Sequence, residues 1–341
     1  MKPKYFSFIL CFCLTVLGSF SLKAQSNYKL ANKFNIEGEG GWDYLNVDEI
    51  NGRIYVSHSA VAQAVDVKTG KLVGTIPDTK GIHGIAIAND LNTGFTSNGR
   101  DSSVTVFNLK TFDIITKVKV TGRNPDAILY DTFSQRVFTF NGGSSNATVI
   151  DAKTYKVLAT IPLDGKPEFS AMDGTGNIYV NIEDKSMINV INSKSLTVEK
   201  KWSIAPGEEP SGLAIDTKSH RLFSVCGNKL MVVSDAVAGK VITTLPIGDH
   251  CDGVTFDPEK KRAYSSNGEG TITVVQETKD DKYTVLETIQ TQRGARTITI
   301  DKKTHHLYLS TAEYESAPTE SNRRPPLKPH SFVILDIETL K

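Results

Sequence analysis

The chain has 341 residues and a near balance of 39 Lys and Arg against 38 Asp and Glu, for a net charge of +1. That balance excludes a global field able to steer the protein onto nucleic acid or an anionic membrane. The length alone allows either two domains or one long all-β unit, so internal repeats have to decide.

The N-terminus carries Lys2 and Lys4, then an apolar run from Phe6 to Phe20, then Ser21-Leu22-Lys23-Ala24. This is the order of a secretory signal peptide, and residues 1–24 are expected to be removed, with cleavage after Ala24. The run is shorter than the roughly 20 residues a spanning helix needs, and no later segment approaches that length, so no membrane span is expected. Cys11 and Cys13 leave with the signal, and neither follows the small-residue pattern of a lipoprotein cleavage site. The mature chain, near neutral once Lys2, Lys4 and Lys23 are gone, is expected in the periplasm or outside the cell.

From Gly38 onward one phrase recurs with a period of roughly 40 to 44 residues. Its clearest copy contains NVDEINGRIYVSH and then AVDVKTGKLVGTIP. Further copies begin near Gly81, Gly122, Gly165, Gly207, Gly248 and Gln292. The second strand of each carries one aromatic: Tyr55, Phe95, Phe138, Tyr179, Phe223, Tyr264 and Tyr308. Most are preceded by a polar turn opening with Asp48, Asp131, Asp173, Asp216, Asp257 or Asp301. A four-stranded sheet cannot bury both faces alone, so these rings are expected to pack between successive sheets.

The first strand alternates in the same way, with Leu45 and Val47, Ile85 and Ile87, Ile128 and Tyr130, Leu213 and Ile215, Val254 and Phe256, and Ile298 and Ile300 pointing one way. Between them stand mostly small residues, such as Gly84, Ala86, Ala127, Gly212 and Gly253, as wedge-shaped sheets crowding a common axis require. Asp66, Asn108, Asp151 and Asn192 open the hairpins between third and fourth strands, where a short polar side chain accepts backbone N–H groups. The last copy, ending in DIETLK, lacks a fourth strand, whereas Asn27 to Ile36 has fourth-strand character. These features predict a single domain over residues 25–341: an all-β, seven-bladed β-propeller of four-stranded antiparallel blades, closed by the N-terminal strand pairing in the last blade.

The cadence IYVSH then VDVKTGKLVGTIP, with VIDAKTYKVLATIPLDGKP in the third copy and GDHCDGVTFDPEKKRAYSSN in the sixth, resembles the YVTN repeats of YncE-like propellers. The resemblance spans the mature chain and implies an exported scaffold; that family has no common catalytic motif. The Gly-His and Trp-Asp signature of WD40 repeats is absent, and Trp42 and Trp202 alone cannot supply the per-blade tryptophan docking of propeller quinoproteins.

In such a ring, activity is expected at the axial mouth, where turns from all blades meet. The position opening the first strand holds Asp43, His83, Asp126, Glu168, Ser211, Asp252 and Arg296; the end of the second strand holds His58, Asn98, Asn141, Ile182, Cys226, Asn267 and Thr311. Asp43, His83, Asp126, Glu168 and Asp252 could hold a divalent cation such as Ca²⁺ or Mg²⁺ through hard ligands; His58 is then a candidate proton carrier for a lactonase-like hydrolase or lyase. The same carboxylates could instead cap backbone amides or pair with Arg123, Arg293 and Arg296. Trp42 is either a stacking platform or a wedge between blades, and the balanced charge makes nucleic acid an unfavoured partner. Cys226 and Cys251 could form one bridge or remain two buried thiols, and His305 and His306 are expected to be solvated on the opposite face. Residues 312–330 interrupt the last copy with four prolines and the basic Arg323, Arg324 and Lys328, forming either a lid or partner arm over the mouth or a solvated excursion. The favoured reading is a non-enzymatic, monomeric binding scaffold for a protein, peptide or small ligand.

Overall fold

A computed structural model describes residues 26–279, 281–316 and 325–340; residues 1–24, expected to be a signal peptide, and Arg323 and Arg324 lie outside them. Seven four-stranded antiparallel sheets form a ring. Their innermost strands are Trp42–Asp48, Ile82–Ala88, Pro125–Asp131, Pro167–Met172, Pro210–Asp216, Cys251–Asp257 and Ile298–Asp301. Each innermost strand packs on those of its two neighbours, the seventh against the first, so the circle is complete. Closure follows the expected route: Tyr28–Asn35 is the outer strand of the last blade, antiparallel to Val333–Thr339.

The seven second-strand aromatics are all buried. Tyr55 packs with Phe107, Ile82 and Ile85 of the second blade, Tyr264 with Ile298 and Leu307 of the seventh, and Tyr308 with Leu45 and Ile54 of the first. The core thus consists of seams between blades, as a repeat that cannot cover its own faces demands. Polar punctuation follows the sequence too. Asp48 accepts the N–H groups of Ile50 and Asn51, and Asp66, Asn108, Asp151, Asn192 and Asp235 each accept the two N–H groups that follow in their hairpins.

One feature of the innermost strands bears directly on the mouth. In the first six blades the pairing register slips just after the first residue, as between Trp42 and Leu45, Ile82 and Ile85, or Pro125 and Ile128. Such bulges bend the strand and re-aim its side chains. They fall on the residues that open each first strand and turn them toward the axis.

His305 and His306 depart from expectation. Rather than being solvated, His305 Nδ1 meets the buried Asp257 at 2.7 Å and His306 Nδ1 the buried Asp336 at 2.6 Å. The two adjacent rings tie the seventh blade's first hairpin to the sixth blade and to its own third strand.

Candidate functional site at the axial mouth

A bulge leaves backbone groups unpaired, and here small polar side chains of the second strands take them up. Ser57 Oγ accepts from Asp43 N and Ser97 Oγ from Gly84 N, both at 2.9 Å. Donors on the second strands, and Thr297 beside Arg296, reach across to the next blade. Ser97 donates to Asp126 O, Asn181 to Ser211 O at 3.0 Å, Ser266 to Arg296 O at 2.5 Å, and Thr297 to Asp43 O at 2.7 Å. The main chain of the mouth residues is therefore stitched from blade to blade.

On this frame the side chains form a nearly continuous charged ring. Asp43 stands between two cations: its Oδ2 is 2.6 Å from His83 Nδ1 and its Oδ1 3.1 Å from Arg296 Nη2. Arg296 Nε donates to Asp252 Oδ2 at 2.7 Å, and Asp252 Oδ1 accepts from Ser211 Oγ at 2.6 Å. On the other side, His83 Nδ1 lies 3.7 Å from Asp126 Oδ1, too long for a hydrogen bond. That oxygen is buried and has no hydrogen-bond partner. Glu168 pairs with Lys166 at 2.7 Å, and Lys166 is shared with Glu183.

The electrostatics follow from this layout. Burial disfavours a charge on His83, yet its hydrogen bond to Asp43 and the fields of Asp126 and Glu168 outweigh that cost and raise its pKa to about 9. Burial, with repulsion from Asp43 and Asp252, pushes Asp126 up to about 6 despite His83. Burial, then the charge of Asp126, pushes Glu168 up to about 8 despite Lys166. Asp43 and Asp252 are matched by cations and Glu168 shares Lys166 with Glu183, whereas Asp126 has no hydrogen-bonded counterion.

The mouth has a floor. Tyr44 and Phe169 directly follow Asp43 and Glu168, at the position where other blades place Gly84, Ala127, Gly212, Gly253 and Thr297. They meet across the axis with ring centroids 5.1 Å apart. Burial, and then the neighbouring Asp126, Asp43, Asp252 and Glu168, raise the Tyr44 phenol well above its usual range. Beneath this pair an axial cavity of about 410 Å³, lined by residues such as Leu45, Ile85, Ile128 and Phe256, reaches Glu49 and Lys302 near the opposite face.

Of the two sets of turn residues expected at the mouth, the structure brings together the first and not the second. His58, Asn98, Asn141, Ile182, Cys226, Asn267 and Thr311 are all buried. His58 is stacked on Phe332 at 4.0 Å with Nδ1 on Gln63, and burial lowers its pKa, so it does not face the ring as a proton carrier. Asn98, Asn141 and Asn267 each bind hydroxyls or an amide of the third strand. Trp42 is a wedge rather than an open platform, covered by Tyr314 and Phe332, although its carbonyl accepts from Arg296 at 3.1 Å. Cys226 and Cys251 are free, buried thiols, the second donating to the Cys226 carbonyl.

Of the five expected ligands, Asp43, His83 and Asp126 place one donor atom each within 4.8 Å of one another. Asp252 is turned to Arg296 and Ser211, and Glu168 to Lys166. The described flanks of the 312–330 insertion form a short bridge, Tyr314 to Leu327, that packs beside Trp42, and Lys328 pairs with Glu313 at 3.0 Å rather than with the acidic ring. Lys166, Tyr44, Phe169 and the stitching serines were not anticipated. The two aromatics were detectable as bulky exceptions in a column of small residues.

Fold and site together define a seven-bladed β-propeller with a charged, floored axial mouth. No protein-family model and no curated protein matches the chain. Among solved structures it is similar to a chain described as Kuenenia stuttgartiensis hydrazine synthase, with a TM-score of 0.69 and 17% identity, covering 80% of this chain and 94% of that one. A likeness at that identity shows the propeller fold alone. Among the described residues no helix is long and apolar enough to cross a membrane.

Proposed function

We propose that this is an exported, non-enzymatic binding propeller of the YVTN/YncE-like kind, whose axial mouth takes a cationic group of a peptide or small ligand. The observation that carries this reading is the carboxylate of Asp126, whose Oδ1 is buried and lacks a hydrogen-bond partner while His83 stops 3.7 Å away. Leaving a buried acceptor unsatisfied is costly, and an ammonium or guanidinium donor at the mouth would satisfy it and offset the repulsion. Leader-like residues 1–24 support export, and the insertion anchored beside Trp42 is the second element assigned to partner contact.

The test is calorimetric titration of the purified protein with n-butylamine at pH 8.5, alongside Asp126→Asn. Saturable binding that the substitution weakens about tenfold, the scale of one charge-assisted hydrogen bond, is the expected result. Absence of heat and of any thermal shift at millimolar amine would overturn the reading.

The approach of Asp43, His83 and Asp126 favours one alternative, a divalent-cation site serving a hydrolase or lyase. Metal would have to displace the proton of His83 and compete with Arg296 for Asp43. Elemental analysis of protein purified without chelator separates the two: a stoichiometric metal selects the alternative, its absence the cation-binding mouth.

A further inference from the structure

We infer that the seam between the seventh and first blades, on the face opposite the mouth, is a recognition pocket for a guanidinium group. The starting point is an aspartate that ends the first strand, or directly follows it, in six blades: Asp48, Asp131, Asp173, Asp216, Asp257 and Asp301. In each, Oδ1 accepts from the backbone of the turn that follows. In five the other oxygen is engaged as well, by the side chains of Asn51, Ser134, Asn177, Ser219 or His305. Asp301 Oδ2 has no hydrogen-bond partner among the described residues, although Asp301 is only 6% exposed. The hydroxyl of Tyr308, a residue 3% exposed, has none either, whereas its counterpart Tyr55 reaches Leu109 O at 3.4 Å and Tyr264 meets Tyr28. Asp301 and Tyr308 line one cleft of about 670 Å³ between the two blades, and the charge of Asp301 reaches the Tyr308 phenol.

The repeat itself shows which group belongs there. Opposite the same aspartate, on the second strand, blades one, three, five and six place Arg53, Arg136, Arg221 and Arg262. Each guanidinium crosses into the next blade: Arg53 to Leu109 O, Arg136 to Ser193 O at 2.5 Å, Arg221 to both oxygens of Asp281 at 2.5 and 2.9 Å, and Arg262 to the Tyr28 hydroxyl at 2.8 Å. Blade two has Thr93 opposite Ala88 and no aspartate to serve, and in blade four Asn177 itself satisfies Asp173. Blade seven places His306 opposite Asp301, and that ring turns back to Asp336 of its own blade. Among the residues lining the cleft there is therefore no guanidinium. Glu49, Asp66, Asp301 and Asp336 face it against Lys68 and Lys303, and Lys303 donates to Glu49 O at 2.9 Å. A buried acceptor without a donor is costly. The planar fork of a guanidinium carries several donors in one rigid plane, where an ammonium offers a compact point charge, so it suits the paired demands of Asp301 Oδ2 and the Tyr308 hydroxyl.

The experiment titrates the full protein with ethylguanidinium and with ethylammonium, equal in chain length, by calorimetry at pH 7.5. Ethylguanidinium should bind about fivefold or more tightly than the amine, because one flat group reaches two acceptors. Tyr308→Phe removes only a hydroxyl that the fold does not use and should weaken that binding about fivefold; Asp301→Asn, which keeps the turn-capping oxygen, should weaken it about tenfold. Asp126→Asn, at the mouth, should leave this affinity unchanged, so the cation-binding mouth stands or falls on its own titration. L-arginine and its Nα-acetyl methylamide, titrated in turn, identify by the tighter of the two whether the bearer is the free amino acid or an arginine residue of a partner. Absence of saturable binding, equal affinity for the two ethyl probes, binding indifferent to both Tyr308→Phe and Asp301→Asn, or binding lost in Asp126→Asn would each overturn the inference.

Discussion

Asp126 and Glu168 make the mouth sensitive to pH in a direction that can be worked out. Both carboxyls have folded-state values above their ordinary ones, at about 6 and about 8, so the folded protein holds protons that the unfolded chain has released. The resulting stability is complete at acid pH and is lost as pH rises through that window. His83, raised to about 9, acts in the same sense, since its paired, protonated form is lost only above that value. Glu168→Gln is therefore expected to raise the unfolding temperature at pH 9, by roughly 1 kcal/mol in stability, and to leave it unchanged at pH 5; thermal melts at the two pH values read this directly. Cation binding runs oppositely, strengthening from pH 6 to pH 8.5 as the carboxyls ionise. A second residue-scale expectation concerns Cys226 and Cys251, whose thiols burial pushes up to about 12. Thiolate is the reactive form, so at pH 8 a thiol reagent mapped by mass spectrometry should label neither in the native protein and both after denaturation.

At the scale of strands, the recurring buried asparagine at the end of the second strand acts as a clamp rather than a ligand. Asn141 Nδ2 donates to Asn146 Oδ1 at 2.7 Å and Thr148 Oγ1 at 3.0 Å, and its Oδ1 accepts from Thr139 at 3.1 Å. Asn141→Ala strands these partners inside the blade and should cost about 2 kcal/mol, measurable by denaturant unfolding, with no change in affinity at the mouth. The sequence order could not reveal this depth. Chain topology places the second-to-third strand turn on the mouth face, which made His58, Asn98 and Asn141 look like rim residues. They lie one strand back from the axis, and only the bulges of the first strands tip Asp43, His83 and Asp126 forward. Those seven mouth positions were legible because every copy of the repeat aligns them. The pairing among them was not, since which carboxylate meets Arg296 or Lys166 depends on the angular order of blades and on side-chain reach. Tyr44 and Phe169 violate the small-residue rule of their column, and such exceptions are where a repeat protein departs from pure packing.

At the scale of the whole ring, closure depends on one strand taken from the opposite end of the chain. Tyr28–Asn35 pairs with Val333–Thr339, and the residues around it engage the sixth blade as well. Ser26 and Asn27 donate to Glu287, and the Tyr28 hydroxyl meets Tyr264 at 3.1 Å while accepting from Arg262 at 2.8 Å. Tyr28, Phe34 and Ile36 are buried, and at roughly 1.5–3 kcal/mol for each large apolar side chain they contribute on the order of 5 kcal/mol. That is a large share of the 5–15 kcal/mol that stabilises a typical domain. Deleting residues 26–36 should expose the edge of Val333–Thr339 as an unpaired template. Because each blade leans on its neighbours, the damage should spread into the first and sixth blades. Hydrogen exchange is expected to show lost protection in blades seven, one and six while blades three and four stay protected, with an unfolding transition lowered by roughly ten degrees or more. A synthetic Tyr28–Asn35 peptide added in trans should restore part of that protection. Uniform protection in the truncated protein would instead mean that the seams between blades hold the circle without its closing strand.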